Sequence, residues 1–155
     1  MDGFHLSNAA LRRSGMSARK GEPDTFDVAG FAAAVERLRE TSVGEPVPWP
    51  TFDRTLDEPT PGGVVICDES VAIVEGNYLL LWSAVRAQLD ECWYLDVDVD
   101  VLAPRLRRRF LDAGWPADEV EQKVAGSDLR NARLVAATKA SADLVIVEHQ
   151  GVYSM

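Results

Sequence analysis

The sequence has 155 residues, 46% of them hydrophobic, which is typical of one globular domain with its own core. Acidic residues outnumber basic ones 25 to 16, and the resulting net charge of −9 argues against a nucleic-acid binder, which needs a basic surface. No apolar run approaches the ~20 residues of a membrane span and no secretory leader follows Met1, so we expect a cytoplasmic chain that binds neither nucleic acid nor membranes.

The first 63 residues are predicted to hold two helices and a long loop. Residues 2–5 read like the end of a strand followed by a turn, and a helix is expected from about Ser7 to Gly15. A second helix is predicted over about residues 27–40, because apolar residues recur there at helical spacing. Residues 41–63 are rich in proline and glycine, which disfavour a helix or a central strand, so we expect a long loop of the kind that is often functional.

The rest of the chain alternates strands with helices. A short strand is predicted at Val64–Cys67, and the uninterrupted apolar run Val71–Val74 suits a strand buried on both faces of a parallel sheet. Further strands are expected at Cys92–Val97 and Asp143–Val147. The helices are predicted at about residues 79–89, 101–113, 116–124 and 128–140. This alternation predicts an α/β fold with a mostly parallel sheet flanked by helices.

Glu75 directly follows the predicted buried strand, and Gly76 allows the chain to turn away there. Ligands of parallel sheets bind beyond the carboxyl ends of the strands. A carboxylate at this position therefore suits a metal–phosphate complex or a substrate hydroxyl. The alternative is a glutamate that caps a following helix at Asn77–Tyr78, and this stretch alone favours neither interpretation.

Asp2 precedes a glycine at an apparent strand end, where an aspartate can accept a proton from a hydroxyl that attacks phosphorus or a carbonyl carbon. Spacing alone favours the simpler interpretation, in which Asp2 caps a helix or turn. His5 either contacts substrate or closes the same turn. A phosphatase or hydrolase with Asp2 as nucleophile is a weaker interpretation, because that chemistry calls for a second aspartate where the sequence has Phe4.

Two further charged groups stand out. Four arginines lie between residues 105 and 109 on one predicted helix, and guanidinium groups bind phosphate oxygens through paired hydrogen bonds. We expect one or two of them to be functional, the alternative being a solvated helix face paired with nearby aspartates. Asp53, Arg54 and Asp57 in the proline-rich segment either recognise a polyhydroxyl substrate or belong to a solvated loop.

A nucleotide-binding loop of the form G-x-x-x-x-G-K-[ST] is missing from the sequence, because no glycine is followed by lysine. The backbone amides and the lysine of that loop hold nucleotide phosphates in proteins that have it. The glycine-rich dinucleotide fingerprint is missing as well. Nucleotide binding therefore has no local signature in this sequence.

Stretches that cover nearly the whole chain nevertheless follow a familiar pattern: MDGFHLSNAALRRSG, RKGEPDTFDVAGF, PWPTFDRTLDEP, VAIVEGNYLLL, CWYLDVDVDVLAPRLRRRF and GSDLRNARLVAATKASADLVIV. In this order they resemble the phosphoribulokinase/uridine kinase family of P-loop kinases, in the branch of pantothenate kinases and nucleoside or fructose-transport-type kinases. The resemblance implies a single nucleoside kinase-like domain over residues 1–155 with a helical lid over about residues 104–127. It also implies that the first strand, the phosphate-binding loop and the first helix of the family are absent here.

The resemblance further implies ATP- and Mg²⁺-dependent phosphoryl transfer to a hydroxyl of a nucleoside, a sugar or a pantothenate-like metabolite. Asp2 would be the base, Glu75 the acidic residue that binds magnesium, and Arg108 a lid residue that steadies the transferring group. The implied substrate-binding residues are His5, Asp53, Arg54, Asn77 and Tyr78. The implied nucleotide-binding residues are Arg105, Arg109, Asn131 and Arg133.

Without the phosphate cradle we expect this chain by itself to be poorly active, because phosphoryl transfer depends on positioning and charge stabilisation. The alternative is a non-catalytic kinase remnant that binds a metabolite or a partner protein. A missing strand would leave an unpaired sheet edge, and such an edge invites pairing with another chain. A homodimer is one form that this pairing could take.

Overall fold

The computed structural model describes residues 1–149 and 151–155. Two units emerge along the chain, Met1–Asp90 and Glu91–Met155. Each unit combines helices with a small sheet, which confirms the α/β class expected from the sequence. The expectation of one kinase-like domain with a lid over residues 104–127 stays a prediction.

The two main helices of the first unit begin where the sequence supplies capping side chains. Helix α1 (Asn8–Arg13) follows Ser7, whose hydroxyl accepts a hydrogen bond from a first-turn amide at 3.2 Å. Helix α2 (Val28–Glu40) follows Asp27, whose carboxylate does the same at 2.9 Å. Both predicted helices are confirmed. They could be predicted because capping residues and apolar periodicity are signals that lie within the helical segment itself. Helix α3 (Ser83–Arg86) is shorter than the helix predicted there.

An antiparallel hairpin occupies much of the segment predicted to be a loop. Strand β1 is Val47–Asp53 and strand β2 is Glu58–Ile66, and their register shifts between Trp49 and Thr51. Proline lacks the backbone N–H that donates hydrogen bonds between strands. Each strand of a two-stranded ribbon pairs along one edge only, so proline is tolerated where its nitrogen faces the unpaired edge. The loop predicted over residues 41–63 is therefore wrong for most of its length.

Aromatic rings build much of the core of the first unit. The ring centroids of Phe4 and Phe31 are 4.6 Å apart, and Trp82 lies 5.5 Å from both Phe26 and Tyr78. All five side chains are buried. Aromatic pairs of this kind contribute about 0.5–1.5 kcal/mol each beyond the burial of their area. They fix the N-terminal turn against α2 and against the segment that precedes α3.

The apolar run Val71–Val74 forms no strand and pairs with no strand among the described residues, so the prediction of a buried strand there is wrong for this structure. Val71 is 77% exposed and Ile73 is 93% exposed. A strand in the middle of a sheet needs neighbours on both edges to bond its amides and carbonyls, and the described residues form no ladder with this run. Its composition favours a strand, but composition alone does not provide pairing partners.

The second unit contains a three-stranded sheet in the order β3-β4-β5. Strand β3 (Trp93–Asp96) runs parallel to β4 (Leu144–His149), and β5 (Val152–Ser154) returns antiparallel to β4. The strands predicted near residues 92–97 and 143–147 are confirmed. The sheets are small and partly antiparallel rather than mostly parallel, because β1 and β2 form a hairpin, Val71–Val74 stays unpaired, and β5 follows β4 too closely for a parallel crossover.

Three helices complete the second unit: α4 (Val99–Asp112), α5 (Ala117–Lys123) and α6 (Leu129–Ala136). A π-helical turn, Val124–Asp128, joins α5 to α6, so the backbone stays helical between the two helices predicted at about residues 116–124 and 128–140. Single π-turns inside helices occur frequently at functional sites. Across the described residues, no helix has both the length and the apolar character needed to cross a bilayer.

Candidate functional site

Two distant parts of the chain that carry the predicted carboxylates are in contact. The amino nitrogen of Met1 donates to the Glu75 carbonyl oxygen at 2.8 Å and lies 3.3 Å from the Glu75 carboxylate. The Met1 side chain is 3% exposed and rests on Gly76, where an added Cβ would lie 2.3 Å from the Met1 sulfur. The residue before Asp2 therefore packs directly on Glu75–Gly76.

Asp2 begins a short 3₁₀ turn, Asp2–Phe4, so it does not end a strand as predicted. The turn lies tight against β1, where a Cβ on Gly3 would come within 2.2 Å of the Pro50 carbonyl oxygen. The Asp2 side chain is 41% exposed, and one of its carboxylate oxygens accepts a hydrogen bond from Arg54 at 3.1 Å. Asp2 is thus an accessible carboxylate on a tightly packed turn, and a carboxylate of this kind can act as a base.

His5 lies between two aromatic rings beside the same turn. Its ring centroid is 4.0 Å from that of Phe26 and 4.8 Å from that of Phe52. Nδ1 lies 2.8 Å from the Asp2 carbonyl oxygen, and because a carbonyl can only accept, Nδ1 carries the proton and Nε2 is the acceptor. Burial lowers the pKa of His5, although its contact with Asp2 acts in the opposite direction. Burial therefore favours the neutral form of the imidazole.

Arg54 lies in the turn between β1 and β2, and hydrogen bonds hold this turn before and after Arg54. Asp53 accepts hydrogen bonds from the two amides that follow Arg54, at 2.8 and 3.0 Å, so its carboxylate is used by the turn itself. On the other side, Lys20 donates to the Asp57 carboxylate and to the Asn8 side-chain oxygen, both at 2.7 Å. Asp57 has a φ of 53°, a left-handed conformation that an aspartate tolerates.

Lys20 and Glu58 are site residues that the sequence prediction missed. Lys20 is 16% exposed and its ammonium lies 5.2 Å from the centre of the Phe52 ring. Both carboxylate oxygens of Glu58 accept hydrogen bonds from the backbone N–H of Asn8, at 3.1 and 3.0 Å. These bonds join β2 to the start of α1. The partners of both residues are far away in the sequence, so no local spacing could have indicated them.

The two residues after Glu75 differ in exposure. Tyr78 is 1% exposed, packs among the core rings and donates its hydroxyl to the Gly21 carbonyl oxygen at 2.7 Å. Asn77 is exposed. In this structure Tyr78 supports the core of the first unit, and substrate binding by Asn77 and Tyr78 stays a prediction.

The arginines of helix α4 face carboxylates of the second unit. Arg105 forms a two-pronged ion pair with Glu148, one contact of which measures 2.6 Å, and the Glu148 side chain is 2% exposed. This hydrogen bonding holds the pKa of Glu148 below its usual range, against the opposing effect of burial. Arg107 and Arg108 also face carboxylates, at 2.7 and 3.5 Å. Arg105 is thus already paired, while Arg108 holds only a long, exposed contact.

Three other predicted nucleotide-binding residues lie in the same unit. Within residues 1–149 and 151–155, no ion pair involves Arg109 or Arg133, and both side chains are exposed. The side-chain oxygen of Asn131 is buried without a hydrogen-bond partner in that same part of the chain. Buried amide oxygens are normally bonded, so this atom is an unused acceptor.

The described residues contain no cluster of three or more metal-ligating side chains. Magnesium bound together with ATP needs fewer protein ligands, since one or two carboxylates, the phosphates and water complete its shell. Glu75, whose side chain is 83% exposed, fits a single-carboxylate contact of that kind.

Comparison with curated proteins identifies kinase-like relatives, although no family model matches the chain. The chain is 37% identical over 145 residues to the ATP-dependent kinase-like protein notR' of Aspergillus versicolor, which covers 85% of this chain and 84% of that protein. It is 31% identical over 150 residues to the uncharacterized protein YggC of Escherichia coli strain K12, with coverages of 94% and 61%. It is 35% identical over 120 residues to a pantothenate kinase of Limosilactobacillus reuteri, with coverages of 70% and 37%.

A solved structure agrees with these relatives. A candidate fructose transport system kinase from Silicibacter sp. TM1040 superposes with a TM-score of 0.85 at 40% identity, over 94% of this chain and 71% of that one. The chain spans only 61% of YggC and 37% of the pantothenate kinase. Because the Aspergillus relative is 37% identical over most of both chains, this chain belongs to the P-loop family of ATP-dependent kinases and kinase-like proteins.

Proposed function

We propose that the chain serves an ATP-dependent kinase that phosphorylates a hydroxyl group of a small metabolite, namely a nucleoside, a sugar or a pantothenate-like compound. Kinship with ATP-dependent kinase-like proteins supports phosphoryl transfer from ATP. The observation that supports the proposal is the contact of Met1 with Glu75, because Asp2 follows Met1 directly and the contact therefore brings the backbone beside the proposed base to the proposed magnesium ligand.

In this reaction the hydroxyl oxygen of the substrate attacks the γ-phosphorus of ATP. The bond from that phosphorus to the bridging oxygen breaks, and ADP leaves with the electron pair. Asp2 accepts the hydroxyl proton, and His5 together with Phe52 offers a wall against which the substrate can lie. The packing of Gly3 on β1 and the Nδ1 contact of His5 hold these groups in place.

Magnesium bound with ATP neutralises charge on the β- and γ-phosphates. Glu75 is the residue proposed to hold it, because its carboxylate is exposed and a single carboxylate is sufficient for a metal–nucleotide complex. A test of this role is direct: Glu75→Gln raises the magnesium concentration needed for half-maximal turnover, while the affinity for the metabolite is unchanged.

The arginines of α4 are proposed to act on the nucleotide and on the transferring group. Arg108 and Arg109 suit this role because their guanidinium groups are exposed and only weakly engaged. A nucleotide role for Arg105 requires its pair with Glu148 to open. The unused oxygen of Asn131 suits an amino group of a nucleotide base, and the exposed Arg133 suits a phosphate.

The phosphate-binding loop of the family is proposed to be supplied by a segment that this sequence does not include. The buried-strand composition of Val71–Val74, together with its exposure here, supports a larger, mostly parallel sheet in the complete protein. Reading the DNA before Met1 tests this proposal. An in-frame G-x-x-x-x-G-K-[ST] about 20–30 residues upstream supports it, whereas an in-frame stop codon opposes it.

The experiment for the activity is a screen of the protein, expressed from its complete reading frame, against nucleosides, sugars and pantothenate with Mg-ATP. ADP release that depends on one of these compounds, with phosphate recovered on its hydroxyl, is the expected result. ADP release at the same rate with and without every compound would contradict the proposal.

Exposed apolar residues favour a second candidate function, a non-catalytic module that binds a partner protein. Trp93 is 60% exposed and Leu95 is 62% exposed on β3, which pairs only with β4 among the described residues. An open edge of this kind can pair with a strand from another chain. Self-association without any stabilisation by Mg-ATP in a thermal-shift assay would favour this candidate over the kinase.

A further inference from the structure

One basic side chain at the proposed site has unused hydrogen-bond donors. Arg54 contacts Asp2 through a single nitrogen at 3.1 Å, and its side chain is 72% exposed. A guanidinium group carries five N–H donors, so most of those of Arg54 are free within the described part of the chain. Lys20 differs, because it is mostly buried and bonds to Asp57 and Asn8.

The backbone that carries Arg54 is held in place while its side chain is able to move. Asp53 closes the turn on one side, and the contact between Lys20 and Asp57 holds it on the other. The pair between Arg54 and Asp2 is exposed, and exposed ion pairs are weak. The guanidinium can therefore leave Asp2 for another anion without any change in the turn.

The net charge of the chain bears on the role of Arg54. The chain has a net charge of −9, which repels small anions, so an anionic metabolite needs a local cation near the base. An arginine that pairs with the base itself is otherwise a disadvantage, because it leaves only one of the two Asp2 carboxylate oxygens for the hydroxyl proton. That disadvantage disappears if the metabolite draws the arginine away.

We propose that the metabolite phosphorylated at this site carries an anionic group, a carboxylate or a phosphate, and that Arg54 binds this group. The inference rests on the proposed function. In the free protein Arg54 pairs with Asp2; in the complex its guanidinium takes two oxygens of the metabolite and leaves Asp2 to the hydroxyl. Carboxylate and phosphate both present two oxygens at the spacing of the guanidinium fork.

Matched ligand pairs test this proposal by isothermal titration, without any need for turnover. Each pair shares a hydroxylated chain and differs in one terminal group: D-gluconate and D-glucitol, pantothenate and panthenol, glycerol 3-phosphate and glycerol. We expect the anionic member of at least one pair to bind about tenfold more tightly or better, which corresponds to about 1.4 kcal/mol. The carboxylate pairs and the phosphate pair show which anion the site takes.

The decisive variant is Arg54→Gln, with Arg12→Gln as its control on the exposed end of α1. We expect Arg54→Gln to remove the preference for the anionic member of the pair, whereas Arg12→Gln keeps this preference. Arg54→Lys should retain the charge and lose most of the gain, because an ammonium group cannot bind two oxygens as a planar fork. A preference that survives Arg54→Gln, or equal binding within every pair, would overturn the proposal.

This result can be separated from the fate of the proposed activity. An Arg54-dependent preference for an anion, in a protein that phosphorylates none of the compounds, would sustain the binding of an anionic group by Arg54 and count against the kinase activity. Phosphorylation of a neutral compound at the same rate in the wild type and in Arg54→Gln would do the reverse. Thermal melting of each variant confirms that a change in binding does not come from unfolding.

Discussion

Among single residues, Gly3 has the strictest steric requirement near the proposed base. The Cβ of an alanine there would lie 2.2 Å from the Pro50 carbonyl oxygen, which is backbone and cannot rotate away. The turn that carries Asp2 would have to move off β1. The position of the base therefore depends on a neighbouring residue that takes no part in the chemistry.

We predict that Gly3→Ala lowers the free energy of unfolding by about 1–3 kcal/mol, the usual cost of overpacking. Gly126→Ala is the control, because an added Cβ there meets nothing within 4 Å and alanine favours helical backbone. Urea denaturation measures both variants. Equal stability of the two variants would show that the turn is not held as described.

His5 provides a second prediction, because burial lowers its pKa. The folded protein then binds fewer protons than the unfolded chain just below pH 6.5, so stability falls as the pH drops through this range. The contribution of His5 to stability is fully present above the pKa that its side chain has in the unfolded chain. We expect His5→Gln to reduce this acid loss of stability.

Nuclear magnetic resonance measures the His5 titration directly. The sequence contains two histidines, so the His5→Gln variant assigns both ring signals. We expect a midpoint for His5 below 6.5, the ordinary pKa of the side chain. A midpoint at or above that value would mean that the ring is not buried between Phe26 and Phe52.

At the scale of elements, the pair between Arg105 and Glu148 joins helix α4 to strand β4. The Glu148 carboxylate is almost fully buried, and Arg105 and the Gly151 amide bond to its oxygens. A buried carboxylate held in this way loses its partners when it is protonated or replaced. This contact therefore holds the helix in which the predicted lid begins, and the sequence did not reveal it.

We predict that Glu148→Gln lowers the denaturant midpoint clearly, whereas Asp112→Asn, which breaks the exposed 3.5 Å pair with Arg108, changes it little. Arg105 lowers the pKa of Glu148, so the contribution of the pair is present above the usual pKa of a glutamate and is lost as the pH falls through the folded value. Equal midpoints for the two variants would contradict the role given to Glu148.

Local signals in the sequence were sufficient for some elements and not for others. Helices α1 and α2 were predictable because Ser7 and Asp27 cap them and their apolar residues recur at helical spacing. The Val71–Val74 strand was not, because pairing depends on neighbours that the run does not contain. The hairpin of β1 and β2 was not predictable either, because its proline and glycine residues disfavour strands. Its two strands are adjacent in the sequence, which allows them to pair locally.

The same distinction applies to the candidate site. Asp2 and Glu75 were indicated by residue type next to glycine, and the contact of Met1 with Glu75 is consistent with their assignment to one site. Lys20 and Glu58 were missed because each acts through partners that only the tertiary structure brings close. Tyr78 was assigned to substrate binding by the resemblance alone; its ring packs in the core of the first unit, and the substrate role stays a prediction.

At the scale of the whole molecule, exposed apolar side chains on β3, which pairs only with β4 among the described residues, predict self-association of this 155-residue chain. We expect sedimentation equilibrium to show association that Leu95→Lys weakens, because a charge on the edge opposes pairing. Leu134→Lys, at a 42% exposed position on α6, should have no effect. A monomeric wild type, or equal association of both variants, would exclude pairing at this edge.

The central claim is that Asp2 takes the proton of the substrate hydroxyl, and one measurement tests it most directly. ADP release that depends on the metabolite is compared in the wild type, in Asp2→Asn and in Asp118→Asn, which changes an exposed carboxylate of the first turn of α5. We predict that Asp2→Asn lowers the turnover number about 10²–10⁴-fold with little change in the Michaelis constant for ATP, while Asp118→Asn matches the wild type. A turnover number for Asp2→Asn within a few-fold of the wild type would contradict the claim.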